Sequence, residues 1–68
     1  MDIEEYNNAI SEIQRQLQDI ADRTANQAII GIADSSNPDF IALMKRHTQL
    51  TKLSTELTER MLQNMQGS

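Results

Sequence analysis

The chain has 68 residues, a hydrophobic content of 38%, a net charge of −4 and no cysteine. A chain this short forms one small domain, residues 1–68, and buries only about 60% of the surface that its unfolded form exposes, so we expect a second copy or another helical protein to complete its core. The charges form no dense basic patch, so we expect no nucleic-acid partner. No apolar run approaches the roughly 20 residues that cross a bilayer, so we expect no membrane insertion. The absence of cysteine excludes thiolate metal sites.

The first predicted helix covers about residues 3–33. Asp2 can cap it, and Glu5 three residues later gives the spacing of a capping box. The acidic start differs from the basic start of a signal peptide, so we expect the chain to be cytoplasmic before any assembly. Apolar positions then alternate in steps of three and four residues, which is typical of a heptad seam facing one neighbouring helix. This seam consists of Ile3, Tyr6, Ile10, Ile13, Leu17, Ile20 and Thr24.

The end of the first predicted helix is apolar around most of its circumference. Ile29 and Ile30 either fold back over the turn onto Phe40 and Ile41, which would close the end of a hairpin, or form an exposed patch for another chain. Gly31 lowers helix propensity here by about 1 kcal/mol relative to Ala. In both alternatives Ile29 and Ile30 are interface residues.

A turn at residues 34–38 separates the two predicted helices, and Ser36, Asn37 and Pro38 define it. Pro38 fixes its own φ and disfavours the α region for Asn37, so an arriving helix stops before it. Proline also suits the first turn of a new helix, and asparagine is a favoured N-cap residue. The break between the helices therefore depends on one proline plus a polar cluster.

The second predicted helix covers about residues 38–66, with Gly67 as its C-terminal stop. Its large apolar residues form an arc over roughly half of the circumference, which is wider than one partner helix needs. The arc consists of Phe40, Leu43, Met44, Leu50, Leu53, Leu57, Met61, Leu62 and Met65. Antiparallel packing on the first helix covers about half of this arc, and the remainder is predicted to contact other chains. The predicted fold is all-α, a two-helix antiparallel hairpin completed by oligomerisation or by a partner.

No set of residues indicates catalysis, a metal site or a cofactor. His47 is the only histidine, and no cysteine accompanies it as a second soft ligand. It falls inside the arc, between Met44 and Leu50, where a structural role is typical. Gly31 and Gly67 are the only glycines, so there is no phosphate-binding loop. We expect a protein that is not an enzyme.

The segment Ser36-Asn37-Pro38-Asp39-Phe40-Ile41-Ala42-Leu43, within a chain of two helices, resembles the needle subunit of bacterial type III secretion systems. Those proteins carry an Asn-Pro or Asp-Pro turn followed by an apolar helix that builds the needle wall. The resemblance implies a self-assembling structural subunit that reaches the extracellular surface after export. Needle subunits usually have tyrosines and an asparagine where this chain has residues 47–54.

Two other interpretations stay open. The small co-chaperone of the same apparatus is also a hairpin of similar length, which would make this chain a chaperone or adaptor that binds a partner helix and prevents its polymerisation. The residue pattern also fits a homodimer in which two hairpins form a four-helix bundle.

Overall fold

A computed structural model describes residues 1–66 and contains two helices, α1 (Ile3–Ile29) and α2 (Pro38–Gln66), with no strand in this range. The helices pack antiparallel, since Tyr6 Oη lies 2.9 Å from Thr58 Oγ1 at one end and Gln27 Nε2 donates to Asp39 Oδ2 at the other. The predicted all-α hairpin is confirmed. The predicted stop at Gly67 lies outside the described residues.

The start of α1 follows its capping signal. Asp2 has an extended backbone and its Oδ1 accepts a hydrogen bond of 2.8 Å from the N–H of Glu5. This contact satisfies one of the N–H groups that the first turn of a helix leaves without a partner. The sequence therefore determines where α1 begins.

The end of α1 differs from the sequence prediction, because the helix stops at Ile29 instead of continuing to about residue 33. Gly31 adopts φ +79°, its N–H donates to the carbonyl of Ala28 at 3.1 Å, and the N–H of Ile32 donates to that of Gln27 at 2.8 Å. These two bonds form a Schellman motif, which needs a left-handed residue just past the helix. Gly31 is thus the terminator of α1 and not a weak interior position.

The turn is held by its own polar side chains. Asp34 Oδ1 accepts from the hydroxyl and the backbone N–H of Ser36, and these bonds hold the pKa of the Asp34 carboxyl below its usual value. Asn37 donates from Nδ2 to the carbonyl of Ile32, and its Oδ1 accepts from the N–H of Asp39 at 3.1 Å. Asn37 caps α2 and Pro38 is the first residue of that helix, as predicted.

The core is one row of side chains from each helix. Ile13 and Ile20 are buried in α1, and Tyr6, Ile10 and Leu17 pack half-buried against the cluster. The buried apolar residues of α2 are Leu43, Leu50, Leu57 and Met61. Spacings of seven residues place such side chains on one face of a helix. The hairpin therefore has a narrow core with solvent on both sides.

Candidate interaction surfaces

The predicted apolar arc of α2 is divided by the packing of α1. Half of it, centred on Leu50 at 3% exposure, forms the core. The other half stays accessible: Phe40 is half-buried, while Met44, Leu53, Leu62 and Met65 are exposed. Removing one such side chain from water is worth about 1.5–3 kcal/mol, so a few of them suffice to stabilise an association.

A second apolar surface lies at the turn. Ile29 and Ile30 are 81% and 69% exposed, so the interpretation in which they fold back onto Phe40 and Ile41 is wrong. The Schellman motif explains the difference, because the chain leaves the helix axis directly after these residues. We call Ile29, Ile30 and the exposed Ile32 the turn patch.

Exposed large apolar side chains concentrate at the two ends of the hairpin. The turn patch, Ile41 and Met44 lie at the turn end, and the open-end patch consists of Ile3, Leu62 and Met65. Between them only Leu53, at 43% exposure, belongs to the same class among the described residues. A molecule with two different apolar ends can make contacts that do not close on themselves.

A shallow groove of about 460 Å³ runs along the first half of α2. Its apolar lining comes from Phe40, Ile41 and Met44, and Lys45 and Thr48 stand at its polar side. Ile41, which lies outside the predicted arc, therefore lines a groove that it shares with Phe40 and Met44 of the arc. No other part of the hairpin fills this groove, and Phe40 remains half-buried.

The charged residues of the two helices all lie on one side of the hairpin. With about 100° of rotation per residue, they occupy one half of each helix circumference, the half that carries the hydrogen bond of 2.7 Å from Arg46 to Gln16. They are Glu4, Glu5, Glu12, Arg15, Asp19, Asp22 and Arg23 in α1 and Asp39, Lys45, Arg46, Lys52, Glu56, Glu59 and Arg60 in α2.

Ion pairs on this charged side are exposed. Hydrogen bonds from Arg15 and Gln16 lower the pKa of Glu12 to about 2, and Arg23 lies 3.2 Å from Asp19. Such surface pairs contribute little to stability. These charged residues matter mainly because they lie on one side of the hairpin and leave the other side without charge.

The opposite side, which carries the Tyr6–Thr58 hydrogen bond, holds no Asp, Glu, Lys or Arg in either helix, and we call it the charge-free face. In α1 it consists of Ile3, Tyr6, Asn7, Ile10, Gln14, Leu17, Ala21, Thr24, Ala25 and Ala28, and in α2 of Phe40, Met44, His47, Thr51, Ser54, Thr55, Thr58, Leu62 and Met65. Its signals in the sequence are the heptad spacing of Met44, Thr51, Thr58 and Met65 and the part of the α1 seam that lies on it. Recognising it needs the relative orientation of the helices.

The threonines of α2 satisfy their own hydroxyl groups. Thr51 donates to the carbonyl of His47, Thr55 to that of Thr51 and Thr58 to that of Ser54, at 2.9–3.1 Å. Such bonds to the preceding turn are common for threonine in helices. Because these donors already have partners, Thr51, Thr55 and Thr58 can be covered by apolar side chains without leaving a hydroxyl donor unsatisfied.

His47 is exposed on the charge-free face, although its place in the arc suggests contact with the core. Within residues 1–66 no three His, Cys, Asp or Glu side chains form a group that could hold a metal ion. The geometry thus assigns His47 no ligand set.

Gln27 links the two helices at the turn end. It is buried in register with Ile13 and Ile20, and its Nε2 donates to Asp39 Oδ2 at 2.6 Å. Its Oε1 is buried without a hydrogen-bond partner within residues 1–66. A charge-assisted bond at this place fixes the level of α2 relative to α1.

The chain matches no protein-family model, no curated protein and no solved structure. Among residues 1–66, neither helix is long and apolar enough to cross a membrane.

Proposed function

We propose that this protein is a non-enzymatic structural subunit that assembles head to tail into a filament, as the needle-type subunit of a type III secretion apparatus does. The resemblance of its turn and layout to that family motivates the proposal. The observation that carries it is the pair of different apolar ends, the turn patch and the open-end patch. A contact between unlike surfaces is heterologous, and it generates an open filament when its rotation does not close a ring.

In this proposal the turn patch of one copy packs on the open-end patch of the next. Ile29 and Ile30 are the most exposed large apolar side chains of the described residues, and the open end offers Ile3 and Leu62. Burial of several such residues at each contact would drive growth with rising concentration. The subunit is cytoplasmic before assembly and reaches the extracellular surface as part of the filament.

The test is sedimentation velocity over a wide concentration range, with negative-stain microscopy of the most concentrated sample. The variant Ile29→Lys with Ile30→Lys removes the turn patch, and lysine suits the C-terminal end of a helix, so the fold is retained. The matched control, Asn8→Lys with Ser11→Lys, adds the same charge at two exposed positions in the first third of α1.

We expect open-ended growth and visible fibres for the wild type and the control, and small closed species for the turn-patch variant. Circular dichroism must give the same helix content for all three. A wild type that stays a monomer or a closed oligomer at every concentration would refute the filament.

The groove on α2 favours a second function, that of a chaperone or adaptor. Its concave apolar lining of Phe40, Ile41 and Met44 suits the side chains of an amphipathic partner helix. This function predicts a stable small species that binds one partner and blocks the polymerisation of that partner. The same sedimentation experiment separates the two, because only the first function gives growth without a partner.

A further inference from the structure

We propose that the charge-free face is the interface of a parallel homodimer in which α1 of each hairpin lies over α2 of the other. This inference goes beyond the filament, whose contacts use the ends of the hairpin and cover only Ile3, Leu62 and Met65 of this face. The two-fold axis runs parallel to the helices, so both turns lie at the same end of the dimer. The result is a four-helix bundle with every charged residue of α1 and α2 outside the new interface.

The distribution of charge selects a second copy as the occupant. A charge buried against this face would find no opposite charge there, and an unpaired buried charge costs much more than apolar burial gains. The partner surface must therefore be uncharged over a comparable length, and the same face of a second copy meets this condition.

Net charge also selects the arrangement. The charged residues of α1 carry a net −3 and those of α2 a net +1. Placing α1 over α1 would bring two acidic helices together, whereas placing α1 over α2 alternates the signs around the bundle. Complementary arrangement of charge around an apolar contact gives an interface its register.

Side-chain size points to the same arrangement. At the turn end α1 offers the small Ala25 and Ala28, and α2 offers the large Phe40 and Met44. Towards the middle the order reverses, since α1 offers Ile10 where α2 offers Ser54 and Thr55. With α1 over α2 and the turns at the same end, large side chains face small ones at these two levels, as close packing requires, whereas Ile3 and Leu62 are both large at the open end.

The size of the face suits a stable dimer. The hairpin measures 51 × 17 × 12 Å, so its broad side is 51 Å long and 17 Å wide. That corresponds to an area on the order of 800 Å², which is what each partner contributes to a standard interface. The satisfied donors of Thr51, Thr55 and Thr58 lower the polar cost of covering it, which then comes mainly from the carboxamides of Asn7 and Gln14.

The test uses the full chain with the Ile29→Lys, Ile30→Lys exchange, so that growth of the filament cannot hide the dimer. Thr51→Glu places a carboxylate in the middle of the face, and Gln49→Glu adds the same charge two residues away on the charged side. Sedimentation equilibrium measures the dimer dissociation constant. We expect Thr51→Glu to raise this constant on the order of 100-fold or more, because a carboxylate is buried in each copy.

Gln49→Glu is expected to change the dimer dissociation constant by less than about threefold, because an exposed charge contributes little to binding. Circular dichroism must give the same helix content for both variants. A monomeric protein at millimolar concentration, or equal effects of the two exchanges, would overturn the interface.

A spin label on Ser35→Cys tests the orientation, because the turns are neighbours in the parallel dimer. Pulsed electron spin resonance should give a short label–label distance. In an antiparallel dimer the labels would stand about one hairpin length apart, 51 Å, and that result would overturn the parallel arrangement.

Discussion

Replacing Pro38 with alanine tests what keeps the two helices apart. In the sequence the break depends on this proline and a polar cluster, which implies that Pro38→Ala lets the helices merge. The structure adds an independent terminator, because the Schellman motif at Gly31, seven residues before Pro38, ends α1. Asn37 also caps α2 through the N–H of Asp39 without help from the proline ring. We therefore expect the variant to remain a hairpin.

The magnitudes support this expectation. A continuous helix through the turn would gain at most about 0.3 kcal/mol for each of the eight turn residues, on the order of 2 kcal/mol in total. A merged monomer would lose the contacts of six buried apolar side chains, among them Leu50 and Ile20. At about 1.5–3 kcal/mol each, these amount to on the order of 10 kcal/mol. Burial in the core outweighs continuation of the helix.

Small-angle scattering at low concentration measures the outcome directly. The hairpin has a Cα radius of gyration of 15.4 Å. A single helix of the same residues would be about 100 Å long, with a radius of gyration of about 29 Å. We expect Pro38→Ala and the turn control Ser35→Ala to give the compact value at the same mass. An elongated particle, whether monomeric or a swapped dimer identified by light scattering, would refute the reasoning.

Two further predictions concern stability, measured by urea unfolding at a concentration where the protein is monomeric. Leu50→Ala, at a position 3% exposed, should lower the free energy of unfolding by about 2–4 kcal/mol, whereas Leu53→Ala, at 43% exposure, should lower it by about 1 kcal/mol; equal losses would contradict the division of the arc. Gly31→Ala should cost about 1–2 kcal/mol through its φ of +79° alone, since no atom beyond the adjacent residues lies within 4 Å of the added Cβ, and Gly31→Asn should cost less. No loss would mean that the left-handed residue is not needed.

The sequence predicts the elements of this fold because their signals are local. The capping side chain of Asp2, the N-cap at Asn37 and the proline at Pro38 act on backbone groups within a few residues of themselves. The heptad spacing of Ile13 and Ile20 likewise depends only on the pitch of one helix. Two helices, their starts and the side that faces a neighbour follow from these signals.

The prediction that α1 continues to about residue 33 was wrong, because a glycine such as Gly31 can be interpreted in two ways from the sequence. A glycine can be a poor helix former or the left-handed residue that stops a helix, and only the bonds back to Ala28 and Gln27 decide between them. The same bonds decide that Ile29 and Ile30 remain exposed. The hydrogen bonds of the Schellman motif are thus the reason that the turn patch is an exposed apolar surface.

By itself, the sequence determined that the chain is a helical hairpin with more apolar surface on α2 than one neighbouring helix covers. Only the tertiary structure decided which half of that surface is core, that the two ends are apolar and that every helical charge lies on one side. The physical reason is that side-chain periodicity is fixed within a helix, whereas the rotation and level of one helix against another come from contacts between residues far apart in the chain, such as Tyr6 with Thr58 and Gln27 with Asp39.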